Sequence, residues 1–258
     1  LTDLALNFGA IQTQEMYPSP LPDLYAGSQL VLVGQYASGG GTTVTLNGSV
    51  DGTAASYVYE SQAFTQVAGG PNDFLPRLWA TRKIGYLLTE IRLHGENPEL
   101  VQAVVDLSVQ YGIVTPYTSY LITEDDILTQ EGRDRVADEE VAAATEAPAQ
   151  TSGGAAVDKA ADQGSMSSSD NAAPVASDPS VTGGNQIKVV GSRTYVNQGG
   201  VWIDTAIDPS KVTPVKIVFL SSEYFTFLAS HPGLAKALAL GDHLMVIADG
   251  TVYEIVPA

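Results

Sequence analysis

The sequence predicts an α+β protein: β-sandwich-like strands with an αα-hairpin, a disordered linker, then a small α+β module. Three observations carry this reading. Between residues 29 and 64, apolar and polar residues alternate with the period of two that a half-buried strand requires. Between residues 74 and 112 the apolar spacing changes to the i, i+3, i+4, i+7 rhythm of a helix with one buried face. Between residues 147 and 184 large apolar side chains almost vanish.

The strands are expected at Gln29–Tyr36, Thr42–Val50 and Ala55–Phe64. Asn47-Gly48 and Asp51-Gly52 are both favoured hairpin dipeptides, and their close spacing leaves open which one turns the chain. Three or four strands make a thin core, so strands from elsewhere are expected to complete the sheet. The first helix has Asn72 or Asp73 as N-cap, Pro76 in its first turn, and a stripe of Ile84, Leu87, Leu88 and Ile91. Gly95 stands where a left-handed C-cap is wanted. Asn97-Pro98-Glu99 opens a second helix, with Leu100, Val104, Leu107 and Tyr111 on one stripe and Gly112 closing it. The short connection makes the pair an antiparallel hairpin. Ile113–Ile122, rich in β-branched and aromatic residues, reads as a strand.

Three regions follow: residues 1–126, strands and helical hairpin; residues 127–185, an acidic low-complexity linker; and residues 186–258, the distal module. Glu131–Glu146 is charged and alanine-rich enough for a short helix, whereas 147–184 lacks the apolar area to offset chain entropy. In the distal module, strands are expected at Ile187–Val190, Arg193–Val196, Val201–Asp204 and Lys216–Phe219. A serine-capped helix runs from Ser221 to Ala229, Pro232 opens another helical turn to Leu238, and Leu244–Ala248 and Val252–Val256 form a hairpin about Asp249-Gly250.

The formal charge of −17 makes phosphate backbones and anionic membrane surfaces poor partners, and no apolar run reaches the length of a membrane span. The absence of cysteine excludes disulfides and thiolate chemistry. His94, His231 and His243 stand in turn or capping contexts, with no nucleophile elbow and no Ser-x-x-Lys at a helix start, so no catalytic residue is assigned. No cofactor is expected and no residues are assigned to a metal; Glu124-Asp125-Asp126 reads as a solvated acidic run. Four of the 12 basic residues, Arg77, Arg82, Lys83 and Arg92, fall on the first helix. They are a candidate docking surface for an acidic partner or anionic glycan, or else they pair with carboxylates of the strands. Trp79, Tyr86, Tyr117 and Tyr120 are expected to pack in the core.

The strings LPRLWATRKIGYLL (Leu75–Leu88), IRLHGENPELV (Ile91–Val101) and YGIVTPYTSYLI (Tyr111–Ile122), with YPSPLPDLYAGSQLVLVGQY (Tyr17–Tyr36) upstream, resemble one family. They are similar to the segment after the von Willebrand factor type A domain in proteins of the inter-alpha-trypsin inhibitor heavy chain type, which carry a VIT domain ahead of it. RTYVNQGGVWIDTA (Arg193–Ala206) and ALGDHLMVIADGTVYEIV (Ala239–Val256) resemble the distal tail of bacterial relatives. The resemblance implies a non-enzymatic adhesion or assembly protein, extracellular, at the cell surface or periplasmic. Its partner would be the N-terminal VIT/type A half of the same protein, with other surface proteins or glycans as further partners. A stand-alone protein- or glycan-binding module at 186–258 is the alternative; an enzyme or protease inhibitor ranks last. The Asp-x-Ser-x-Ser cation loop of type A domains has no counterpart, since SMSSSD (Ser165–Asp170) has the wrong order. Leu1 at the start leads us to expect a preceding segment.

Overall fold

The computed structural model describes residues 1–66, 72–118, 126–146, 154–171 and 186–258. Its elements in chain order are β1 (Thr2–Asn7), β2 (Thr13–Tyr17), β3 (Val33–Tyr36), β4 (Gly40–Val50), β5 (Thr53–Phe64), α1 (Leu75–His94), α2 (Pro98–Tyr111), α3 (Gln130–Glu146), α4 (Gly154–Ser168), β6 (Ile187–Val190), β7 (Arg193–Gln198), β8 (Val201–Asp204), β9 (Val215–Val218), α5 (Ser222–Ser230), α6 (Ala235–Leu238), β10 (Leu244–Ala248) and β11 (Thr251–Val256). The class is mixed α+β, as expected. The chain divides into two compact units, residues 1–89 with 152–173 and residues 90–151 with 174–258.

In the first unit, β1, β4 and β5 form an antiparallel sheet in the order β1-β4-β5, and β2 pairs with β3 in a second, two-stranded sheet. The hairpin turn is Asp51-Gly52: Val50 pairs with Thr53, and the two turn residues take φ of 50° and 76°. Both are positive, as the favoured two-residue turn demands, so Asn47-Gly48 stays inside β4. Each pairing is interrupted once by a bulge, and each bulge carries a non-glycine residue at positive φ: Asp3 in β1, Glu15 in β2 and Ser61 in β5. Bulges of this kind re-aim side chains and sharpen the twist. The strand expected over Gln29–Tyr36 is confined to Val33–Tyr36.

Helix α1 buries Ile84, Leu87, Leu88 and Ile91, the stripe expected of it, and Gly95 takes φ 89° just beyond its end. Within the stretch read as a low-complexity linker, residues 154–168 form α4, a helix its composition does not announce. It passes close over Gly85 in the middle of α1, where a Cβ would overlap the backbone of Met166 and Ser167. The remaining linker residues, 147–153 and 172–185, lie outside the described residues.

In the second unit, Asn97 caps α2 by accepting a 2.8 Å hydrogen bond from the Glu99 amide, and Gly112 closes it at φ 61°. α2 packs with α3, which occupies the charged, alanine-rich segment. The strand expected from Ile113 is a correction: residues 113–115 belong to no strand, 116–118 form a turn, and 119–122 lie outside the described residues. Thr115-Pro116 explains it. The Thr118 hydroxyl accepts from the Thr115 amide at 2.9 Å, the Thr118 amide donates to the Thr115 carbonyl at 3.1 Å, and Pro116 has no N–H for a ladder.

The distal strands form one six-stranded mixed sheet, β6-β7-β8-β10-β11-β9, in which β8–β10 and β9–β11 are the parallel pairs. Its core holds Tyr195, Trp202, Ile217, Leu244, Val246 and Ile255, with Tyr224 and Phe227 of α5 packed in. Ser221 caps α5 through a 3.1 Å bond accepted from the Tyr224 amide. At the C-terminus of α2, a Cβ on Gly112 would press on Thr194 and Ile187, and the Thr205 hydroxyl donates to the Gln110 carbonyl at 2.8 Å. Thus α2 and α3 fall into one unit with the distal strands.

Candidate functional site

Arg82 is the centre of the polar constellation in the first unit. Its side chain is 2% exposed, yet it carries a full charge. Nε donates to the Ser169 carbonyl at 2.8 Å, Nη1 to the carbonyls of Tyr17 (3.3 Å) and Val31, and Nη2 to Asp170 Oδ1 at 3.0 Å. Burial lowers the guanidinium pKa, and the Asp170 charge acts the other way. The Asp170 side chain itself is 70% exposed. A cleft of about 410 Å³ opens here, lined by Arg82, Asp170, Ser167, Ser168, Thr89 and Tyr86, among others. Tyr17 also borders it, its ring 5.4 Å from that of Tyr86, and burial followed by the charge of Glu15 pushes its phenol up to about 12.

The four basic residues therefore separate. Arg82 is inside, Lys83 pairs with Glu15, Arg77 is half-buried with its pKa lowered by burial, and Arg92 is exposed. Glu15 also presents its carbonyl to Trp79 Nε1 at 3.0 Å, so the bulge in β2 aims two groups at α1. Sequence reasoning picked out Arg82 but missed Asp170, Ser169 and Glu15. Asp170 stands 88 residues from its partner, and nothing local marks that pairing. Trp79 and Tyr117 are buried and Tyr86 half-buried, while Tyr120 lies outside the described residues.

The second unit holds several polar clusters. Asp204 is buried; burial raises its pKa, and the Ala206 amide (3.0 Å) and Arg193 Nη1 (2.9 Å) oppose that. Glu254 accepts from His243 Nε2 at 3.0 Å and faces Lys216 at 3.4 Å, and the His243 bond leads in lowering its pKa. His231 lies 3.2 Å from Asp249, and His94 3.6 Å from Glu90 on an exposed helix end. Tyr117 donates to Glu96 at 3.2 Å; burial first, then Glu96 and Glu139, raise the pKa of Glu140. Each imidazole is engaged with a carboxylate rather than with a hydroxyl. Among the described residues, no group of three or more His, Asp or Glu is placed to hold a metal ion, and no helix is long and apolar enough to cross a membrane.

One surface differs from the rest. β5 ends its sheet, and both its faces are open: Tyr57 is 46% exposed, Tyr59 49%, and Val58 between them 58%. Successive strand residues point to opposite faces, so apolar area is presented on both sides of an edge that no strand among the described residues pairs with.

No protein-family model matches the chain, nor does any curated protein or solved structure.

Proposed function

We propose that this chain is a non-enzymatic scaffold of the VIT/type A kind, acting in adhesion or assembly at the cell envelope or outside the cell. In this reading its first unit is completed by strands from the N-terminal VIT/type A half. The observation that carries it is the open edge of β5. A twelve-residue strand whose outer backbone row pairs with no strand among the described residues, with apolar residues on both faces, is a template for an added strand. The ordered blocks Tyr17–Tyr36, Leu75–Leu88, Ile91–Val101 and Tyr111–Ile122 support the family behind the reading. Co-expression of the two halves tests it: they should co-purify, and Val58→Lys should abolish the association with the circular dichroism of this chain unchanged. Separate elution of the wild-type halves would sink the proposal.

A second reading is favoured by the other end of the chain. β9 ends the six-stranded sheet and exposes Val215 and Val218, followed by exposed Leu220 and Phe225. A protein partner bound through residues 186–258 would be lost with Leu220→Ser or Phe225→Ser and retained with Val58→Lys.

A further inference from the structure

We propose that the Arg82 cleft is a binding site for acidic, serine-rich peptide, and that the chain's own residues 163–171 occupy its Arg82 end. This inference stands apart from the scaffold reading. It begins with the disparity between the two partners of one ion pair: Arg82 is 2% exposed and Asp170 70%. The cation is built into the unit by the carbonyls of Tyr17 and Val31. Its anion is carried by the segment that follows α4, in the same unit but 88 residues further along the chain. Carbonyl dipoles satisfy the N–H groups of a buried guanidinium but leave its charge uncompensated, so the pocket calls for a carboxylate.

The segment that supplies that carboxylate is held in the manner of a ligand. Its sequence, QGSMSSSDN over Gln163–Asn171, has glycine and four serines, poor formers of an isolated helix. Its order therefore comes from docking. Three contacts make the dock: the close passage over Gly85, the buried Gln163 side chain, and the bonds of Arg82 to Ser169 and Asp170. The dock is incomplete. Gln163 Oε1 is buried and has no hydrogen-bond partner among the described residues, which weakens it. Beside the ion pair the cleft of about 410 Å³ stays open, bounded by Ser167 and Ser168 of the segment itself and by Thr89 and Tyr86 of α1. An acidic peptide that pairs with Arg82 and fills more of that volume competes with Asp170, and the cis segment sets the threshold it must exceed.

The test uses the full chain and a fluorescein-labelled synthetic peptide of residues 163–171, followed by fluorescence anisotropy. Asp170→Ala should bind the peptide about tenfold more tightly than wild type, because the internal competitor loses its anchor. Arg82→Met should bind neither that peptide nor its longer acidic variants. The same peptide carrying alanine in place of its aspartate should not bind the Asp170→Ala chain. Equal affinity for the two peptides, or no gain on Asp170→Ala, overturns the proposal. So does succinate that binds the wild-type cleft while the peptide does not, since the ligand would then be a small carboxylate. Hydrogen exchange on the wild-type chain gives a readout independent of any variant's folding: α4 amides should exchange at least about tenfold faster than those of Leu78–Leu88 in α1. Exchange of α4 at the rate of α1 makes it a fixed part of the unit and overturns the proposal.

Discussion

Residues 1–64 and residues 186–258 are both built around sheets, yet they handle apolar area in opposite ways. The distal sheet covers itself. Tyr195, Leu244, Val246 and Ile255 are wholly enclosed, because α5 and α6 contribute Tyr224, Phe227, Ala237 and Leu238 to the same core. The first sheet ends in β5, whose residues 56–63 are all exposed. A covered sheet is a finished scaffold; a sheet open on both faces leaves area for something else to bury. The bulges follow the same division. All three pairings of the first unit are interrupted, whereas β10–β11 and β6–β7 run in uninterrupted register.

The largest effect expected from this contrast is on stability. Leu244→Ala removes a fully buried side chain and should cost about 3 kcal/mol in urea denaturation, while Val58→Ala should stay within about 0.5 kcal/mol. Comparable losses would mean that β5 is covered in solution. Gly85→Ala comes next. Its methyl meets the backbone of Met166 and Ser167, which cannot swing aside as a side chain would, so a loss of about 2 kcal/mol and faster exchange of α4 are expected.

The smallest effects are electrostatic and sharpen the account of the second unit. Burial tends to raise the pKa of Asp208, but hydrogen bonds from Ser210 and Lys211 overcome it and bring the carboxyl down from 3.8 to about 2. A depressed carboxyl contributes stability above its unfolded pKa and loses that contribution as the pH falls through 3.8 toward 2. Asp208→Asn should thus cost about 1 kcal/mol at pH 7, after allowance for solvent, and almost nothing below pH 2. Glu140 has the opposite sign. Its raised pKa means that its charge opposes folding above the folded-state value, so Glu140→Gln should stabilise the unit by a few tenths of a kcal/mol at neutral pH and not in acid. Melting curves of the two variants across pH check both signs.

The sequence by itself determined the elements whose cause is local. The Asn97 cap and Gly112 stop of α2, the Ser221 cap of α5, the Asp249-Gly250 turn and the buried stripe of α1 all stand where spacing and turn chemistry put them. Local signals also misled where two competed: Ile113–Ile122 has strand composition, but Thr115-Pro116 carries the stronger instruction and turns the chain. The candidate site was half legible. A run of cations on one helix drew attention to Arg82, yet whether such a residue is a surface cation or a buried one depends on what packs over it. Tertiary structure decided that by bringing the carbonyls of Tyr17 and Val31 and the carboxylate of Asp170 to one guanidinium across 51 to 88 residues of chain. It also decided which hairpin dipeptide turns and that α4 forms at all. Such contacts depend on a neighbour's shape and on burial, and no short window of sequence records either.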